Sequence, residues 1–374
     1  MELSQVIVTI GYICRFLIVL SVLVFVHELG HFWAAVRAGI RVEVFSLGFG
    51  KKLFRFNRKG TEYAVSSIPL GGYVKLAGDT REESKGARDE FLGKPVGKRF
   101  NVIAAGPVMN YIFGFVFFWI VFCMGFPVLG TTVKTVKEGM GAANAGITSG
   151  DRIVAIGRTP VSTWDEMTAA IHGRQDDKEV AVVVERAGSR ITLPVVLAPL
   201  EAADMFGKKT TFRGIGISPD VNQRKILRYG FVRSGIEAAR KTWQLTALTY
   251  KALWYMVTGK LSARKSVAGP VAMYDIFSQV RSFTEILILM AVVSISLGIF
   301  NLLPLPALDG GHIVLLGIEK IRGKYLSKRA EEIFNQIGFV FLISVGVLVI
   351  VNDLANKGVF EGIVTLFRKI FHGG

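Results

Sequence analysis

Residues 16–31 read FLIVLSVLVFVHELGH, an apolar run that ends in His27, Glu28 and His31. An uninterrupted apolar run of this kind, within a longer apolar block, is typical of a helix that crosses a lipid bilayer. Ionisable residues at membrane depth are costly, and they mark functional sites by default. The stretch therefore predicts a membrane-spanning helix with a polar site at one end.

The composition of the whole chain agrees with a membrane protein. Its 374 residues are 51% hydrophobic and 20% charged, and the mean hydropathy is +0.44. So many core-forming residues exclude a disordered chain. The two cysteines, Cys14 and Cys123, lie in apolar blocks and exclude a disulfide scaffold. Basic loops explain the net charge of +16, and because no nucleic-acid motif accompanies it, we expect no nucleic-acid partner.

Four apolar blocks are long enough, or nearly so, to span the bilayer: residues 6–36, 100–126, 286–303 and 337–351. The first block has neither a basic region before it nor a small-residue cleavage site, so it is not predicted to be a signal peptide. The loops set the orientation, since residues 37–99 carry fourteen Lys/Arg against seven Asp/Glu. The positive-inside rule places this loop and residues 304–336 in the cytoplasm, with both termini outside.

The long segment between the second and third spans predicts a small β-rich domain over residues 128–200. β-branched or alternating runs cover residues 131–136, 152–156, 180–185 and 190–197, and residues 164–172 predict a helix.

The order GITSGDRIVAI at residues 146–156 of this domain resembles the signature of the PDZ family. The resemblance implies capture of extended peptides by strand addition, with Val128, Leu129 and Gly130 in the peptide-binding loop. After the domain, residues 225–258 predict an amphipathic helix, which suits either a membrane interface or packing on the small domain.

The strongest chemical signal is the HELGH motif at residues 27–31. Positions i and i+4 lie on one face of a helix, so His27 and His31 can hold one Zn²⁺ together. Glu28 stands beside them and can accept a proton from a water molecule that the metal activates.

A catalytic zinc needs a third protein ligand and an open position for water. His172 and His372 are expected on the wrong side of the membrane. Asp309 and His312 follow the third span at the correct end, where Pro304 and Pro306 break the helix, and spacing alone leaves both candidates open.

Several motifs together resemble the site-2 protease family of intramembrane zinc metalloproteases, in its bacterial RseP type with one PDZ domain. The resemblance covers nearly the whole chain and includes the order of the spans. Its motifs are HELGH at residues 27–31, GGYVK at 71–75, AGPVMN at 105–110, GP at 269–270 and NLLPLPALDGG at 301–311.

The resemblance assigns roles to individual residues. It implies that Asp309 is the third ligand of one Zn²⁺ per chain, that Glu28 is the catalytic base, and that Asn301 holds the substrate backbone. It also implies that a re-entrant β-hairpin element binds the substrate through Gly71, Gly72, Tyr73 and Val74. A transmembrane helix satisfies its own backbone, so it must unwind before it is cut, and a strand edge can hold the unwound segment.

The implied function is cleavage within the transmembrane segment of single-span proteins. The implied partners are these substrates, the bilayer, and an upstream site-1-type protease that first trims an anti-sigma-factor-like regulator. Two other classes are open. The first is a PDZ-bearing scaffold with a structural metal, and the second is an ion transporter with intramembrane carboxylates.

The predicted fold class is a polytopic α-helical membrane protein with about four transmembrane helices, a re-entrant β-hairpin element and an inserted PDZ domain. The predicted location is the bacterial inner membrane, with the termini and the PDZ domain outside the cytoplasm. The predicted domains are residues 1–126 with the first two spans, 127–220 as the PDZ domain, 221–283 as a helical connector, and 284–374 with the last two spans.

Overall fold

The computed structural model describes residues 3–174, 176–203, 209–262 and 269–356. The helices in these ranges are α1 (Leu3–Ala38), α2 (Val96–Met124), α3 (Gly141–Asn144), α4 (Trp164–His172), α5 (Phe231–Val257), α6 (Pro270–Gln279), α7 (Phe283–Asn301), α8 (Asp309–Arg322) and α9 (Lys328–Asn356). The strands are β1 (Val42–Arg58), β2 (Thr61–Leu76), β3 (Phe126–Leu129), β4 (Val133–Val136), β5 (Arg152–Ile156), β6 (Thr159–Pro160), β7 (Glu179–Arg186), β8 (Ser189–Val196), β9 (Ala198–Ala203), β10 (Lys209–Gly214), β11 (Ile217–Pro219) and β12 (Arg224–Leu227).

Within the described residues, α1, α2, α7 and α9 are long and apolar enough to cross a membrane. This confirms the prediction of a polytopic protein with about four spans and an inserted β-rich domain. The fourth membrane-spanning helix, α9, begins at Lys328, earlier than residue 337, where the fourth apolar block of the sequence begins. Its first residues include Ala330, Glu331 and Glu332, which are good helix formers, so the helix extends beyond its apolar part.

Helices α2 and α7 pack closely because small residues face the contact. A Cβ atom on Gly298 of α7 would lie 2.8 Å from the Tyr111 ring of α2. The hydroxyl of Ser294 donates a 2.8 Å hydrogen bond to the backbone oxygen of Asn110. Ser294 and Asn110 are both fully buried, so the contact holds two polar groups inside an otherwise apolar interface.

Strands β1 and β2 pair along more segments than the two of the predicted hairpin. Residues 44–47 of β1 pair with residues 72–75 of β2 on one side and with residues 62–65 on the other. The tip of β1, at residues 54–58, pairs a second time with residues 61–65. The two long strands therefore supply four paired segments, and residues 72–75 form an outer edge.

Residues 121–235 form a compact unit of their own. Its main sheet has the order β6-β5-β7-β8, and β4 pairs with β11 while β3 pairs with β12. The core is built from buried residues of the sheet and of α4, including Ile153, Val182, Val195 and Met167, together with Leu197 between β8 and β9. Strand β5 and helix α4 have the bounds that the sequence predicted.

The segment after this sheet differs from the predicted continuous helix over residues 225–258, which is wrong in its first part. Residues 224–227 form strand β12, which pairs with β3, and helix α5 begins only at Phe231. A neighbouring strand with free backbone groups outweighs local helical periodicity here. The predicted boundaries at residues 126, 220 and 283 stay predictions.

Candidate metal centre

The two histidines of HELGH share one face of α1. Their Nε2 atoms lie 3.2 Å apart, and both side chains are largely buried. One helical turn separates them, so the helix places both side chains on the same face. Two imidazoles that direct their Nε2 atoms to one point can bind one metal ion, and a catalytic zinc site needs a third protein ligand.

Asp309 comes to the histidines because the chain breaks between α7 and α8. Residues 302–308 contain two prolines, and α8 starts at Asp309 itself. Gly311 permits the sharp return, since a Cβ atom there would lie 2.8 Å from the carbonyl carbon of Leu305. Asp309 Oδ2 lies 3.1 Å from Nε2 of His27, and Oδ1 lies 3.6 Å from Nε2 of His31.

These three side chains fit a tetrahedrally coordinated cation. Ligand atoms about 2.1 Å from a zinc ion stand about 3.4 Å from one another, close to the observed separations. Oδ2 of Asp309 is buried and has no hydrogen-bond donor of acceptable geometry among the described residues. A cation would satisfy that oxygen, and the donor set of two imidazoles and a carboxylate is one that catalytic zinc sites use.

Of the other histidines, only His312 is described in the same compact unit as this cluster. His312 lines the cavity in front of it, one turn beyond Asp309, but is not one of the three converging ligands. His172 lies in the 121–235 unit, where its ring packs edge-on against Phe212. His372 lies outside the described residues.

Glu28 is held beside the histidines by the outer edge of the β1–β2 sheet. The backbone N–H of Val74 donates a hydrogen bond to its carboxylate. A Cβ atom on Gly72 would lie 3.3 Å from Cγ of Glu28, so the strand passes directly over the side chain. Tyr73, between them, stacks its ring on Phe49 at a centroid distance of 6.1 Å.

Helix α2 forms the wall behind both histidines. The backbone oxygen of Val102 lies 2.9 Å from Nδ1 of His31, and the side-chain amide of Asn110 lies 3.1 Å from Nδ1 of His27. A Cβ atom on Gly106 would lie 2.6 Å from Cε1 of His31 and 2.8 Å from Cε1 of His27, and closer still to Nε2 of His31. The sequence did not predict these contacts, although Gly106 and Asn110 both belong to the AGPVMN motif.

Comparison with known proteins identifies the family of this chain. The sequence profile described as "Peptidase family M50" matches residues 15–345, which is most of the chain. The chain belongs to peptidase family M50. The predicted membership of the site-2 protease family and the predicted enzyme class, a zinc metalloprotease, are thereby confirmed.

Curated relatives of this M50 peptidase match over almost their whole length. The putative zinc metalloprotease Atu1380 of Agrobacterium fabrum is 35% identical over 364 residues, covering 92% of this chain and 96% of the relative. The regulator of sigma-E protease RseP of Salmonella typhimurium is 32% identical over 448 residues, covering 92% and 98%. That of Escherichia coli is 30% identical over 449 residues, covering 92% and 98%.

Among solved structures, the PDZ domains of SdrC-like proteins from two Listeria species are similar to part of the chain. The domain from Listeria monocytogenes is 25% identical and covers 25% of this chain and 88% of its own, with a TM-score of 0.20. The domain from Listeria innocua is 27% identical and covers 24% and 92%, with a TM-score of 0.19.

The remaining predicted site residues of the M50 chain occupy two places. Asn301 is the last residue of α7, at the start of the break that ends at Asp309. Val128 and Leu129 lie in β3 and pair with β12, and the N–H of Gly130 donates to the oxygen of Gln223 at 3.3 Å. The backbone of the predicted peptide loop thus already has a partner on one side, and its role stays a prediction.

A cavity of about 500 Å³ connects the metal centre with a charged rim. Glu28, His31 and Asp309 line its inner end. At the rim, Glu82 pairs with Lys328, and Arg81 pairs with Glu331 at 3.3 Å. The hydrogen bond from the Lys328 ammonium holds the pKa of Glu82 below its ordinary value. The cavity gives water a route to the site past these charged side chains.

Proposed function

We propose that this M50 peptidase cleaves peptide bonds within the transmembrane segments of single-span membrane proteins, with one zinc ion per chain held by His27, His31 and Asp309. The observation that carries the proposal is the convergence of these three ligands, within 4.8 Å of one another, beside Glu28 and a cavity that Glu28, His31 and Asp309 line. Zinc bound there would polarise a peptide carbonyl and lower the pKa of a water molecule toward neutrality.

Glu28 acts as the general base and then as the general acid. Its carboxylate accepts a proton from the attacking water and delivers that proton to the nitrogen of the leaving amine. The backbone amide of Val74 orients the carboxylate, so the orientation of Glu28 is set before the substrate binds. The cavity behind it supplies the next water molecule for each turnover.

The outer edge of β2 binds the substrate as an added strand. The backbone groups of every second residue in a strand point to the same edge. The N–H and C=O of Gly72 therefore point to the edge at which the Val74 N–H contacts Glu28. A substrate helix that unwinds locally exposes backbone groups that lipid cannot satisfy, and this edge can pair with them. Gly71, Tyr73 and Asn301 complete the proposed substrate contacts.

The enzyme resides in the bacterial inner membrane, with its termini and the 121–235 unit outside the cytoplasm. It makes the second cut in a relay, after an upstream protease has trimmed an anti-sigma-factor-like regulator. The relatives that carry the name "Regulator of sigma-E protease RseP" support this placement. The PDZ-like unit would exclude untrimmed substrates, so deleting residues 128–200 should permit their cleavage, and unchanged selectivity would contradict the gating role.

The test uses the full chain in lipid vesicles with zinc and a single-span reporter. Glu28→Gln should retain zinc and lose cleavage by about 10²–10⁴-fold, because the metal ligands remain while the base is removed. The exposed residue Glu138 supplies the matched control, and Glu138→Gln should cleave at the parent rate. Cleavage by Glu28→Gln at the parent rate would remove Glu28 from the mechanism, and a parent that binds zinc without cleaving would favour a scaffold.

A further inference from the structure

Asn110 contacts the metal centre but has no role in the proposed mechanism. It is fully buried in α2, and its side-chain amide lies 3.1 Å from Nδ1 of His27. The Nε2 atom of the same imidazole turns to Asp309. Asn110 therefore touches the side of the ligand that faces away from the metal position.

The hydrogen-bonding chemistry of imidazole determines which atom donates and which atom accepts in the contact between Asn110 and His27. Nε2 of His27 can bind a cation only through its lone pair, so the ring proton has to sit on Nδ1. Nδ1 is then a donor and needs an acceptor. For His31 the backbone oxygen of Val102 fills this role at 2.9 Å.

For His27 the acceptor has to be the amide oxygen of Asn110. As placed, Nδ2 of Asn110 faces Nδ1, and Oδ1 is buried without a hydrogen-bond partner among the described residues. A half-turn of the amide exchanges the two atoms without moving any other group. The exchange gives the buried oxygen a donor and gives Nδ1–H an acceptor.

We propose that Asn110 is a positioning residue that fixes the Nδ1–H tautomer and the ring orientation of His27 through its side-chain oxygen. The inference rests on the proposed function, since it requires a metal at the three ligands. It also explains why α2 carries AGPVMN: Gly106 leaves room for both rings, and Asn110, one turn further, holds the first of them. Contacts of this kind typically change metal affinity by about 10–100-fold when removed.

The test measures zinc affinity of the purified full chain by competition with a chelator, together with the visible spectrum of the Co²⁺-loaded protein. Asn110→Leu removes the acceptor and should lower zinc affinity by about 10–100-fold and change the Co²⁺ spectrum. Asn110→Asp keeps an acceptor at the same distance and should restore the affinity. If Asn110→Leu does not fold, Asn110→Ala replaces it with the same expected loss.

Ser294→Ala supplies the control, because it breaks a hydrogen bond to the backbone oxygen of Asn110 without touching its side chain. Its zinc affinity should stay close to that of the parent. Parent-like affinity of Asn110→Leu, or equal losses in Asn110→Leu and Asn110→Asp, would overturn the role of Asn110 and leave the metal site intact. A parent that binds no zinc would overturn the metal site itself, and this inference with it.

Discussion

Arg99 and Glu319 lie 220 positions apart in the chain and form a doubly hydrogen-bonded ion pair between the start of α2 and the end of α8. Their side chains are only 3% and 12% exposed. Helix α2 backs the two histidines, and α8 begins with Asp309, so this pair fixes the helix of the third ligand to the helix that orients the first two.

Breaking the Arg99–Glu319 pair should therefore weaken both the fold and the metal site. Removing one partner of a buried pair leaves the other charge without compensation and typically costs about 3–5 kcal/mol. We expect Glu319→Gln to lower the thermal unfolding temperature and the zinc affinity, as measured by calorimetry and chelator competition. Lys75→Met, which breaks an exposed pair with Glu83, is the control and should change neither quantity appreciably.

Gly106→Ala should abolish zinc binding while leaving α2 helical. The added methyl group would overlap both imidazole rings, at 2.6 Å from Cε1 of His31 and 2.8 Å from Cε1 of His27, so the rings must turn away from Asp309. Zinc content of the purified variant measures the effect. Gly346→Ala in α9 is a matched control, because no atom lies within 4 Å of a Cβ there, and it should bind zinc normally. A Gly106→Ala variant with full zinc content would show that the rings have more room than the structure gives them.

The sequence predicted those helices, strands and motifs that depend on the residues within a short segment. The bounds of α4 and β5 matched because hydrophobic periodicity and turn residues decide them within a few positions. HELGH and the Asp309 motif were visible because two short segments carry most of the ligand chemistry. The contact between Asn110 and His27 depends on how two helices pack, so no local pattern encodes it.

Long-range strand pairing was the other part that the sequence did not reveal. The segment 224–227 is a strand only because β3 offers it a partner about a hundred residues earlier. The β1–β2 sheet folds back on itself for a similar reason, since residues 44–47 pair on both sides. Pairing partners at such separations follow from the tertiary fold and not from propensity.

Helix α6 should lose order when Asp353 is replaced. The Asp353 carboxylate accepts hydrogen bonds from the N–H groups of Gly269 and Ala272, at 3.3 and 3.1 Å, and so caps the first turn of α6 from another helix. Loss of a capping side chain costs about 0.5–2 kcal/mol. We expect Asp353→Ala to speed amide hydrogen exchange in the first turn of α6, with exchange in α4 as the internal reference. Unchanged exchange in α6 would show that its packing alone holds that turn.

Removal of the metal should destabilise the folded protein. A ligand that binds only the folded state stabilises it by about 2.7 kcal/mol at a hundred times its dissociation constant. Stripping the protein with a chelator should therefore lower its unfolding temperature, and zinc should restore it in a concentration-dependent way. Asp309→Asn weakens the ligand set and should greatly reduce this zinc-dependent shift. A shift of parental size in Asp309→Asn would place the stabilising zinc elsewhere.

The 121–235 unit should lose stability in acid through Asp151. Its buried carboxylate accepts hydrogen bonds from the Arg186 guanidinium at 2.7 and 2.6 Å and from the Thr148 N–H at 2.8 Å. The Arg186 contact is the main reason why the pKa of Asp151 lies below its ordinary value; burial opposes it, and the Thr148 N–H adds to it. The unfolded chain has the ordinary aspartate pKa of about 3.9, so the unfolded state binds the proton more readily.

The stabilisation by Asp151 is therefore fully present above about pH 4 and is lost as the pH falls through the lower pKa of the folded state. Amide hydrogen exchange of residues 121–235 in the full chain, followed from pH 6 to pH 3 with correction for intrinsic exchange rates, measures this change. Asp151→Asn should be less protected at pH 6 and should depend less on pH below 4. Asp177→Asn replaces an exposed carboxylate of the same unit and should follow the parent curve. Coincident curves for Asp151→Asn and the parent would show that the Arg186 contact does not stabilise the unit.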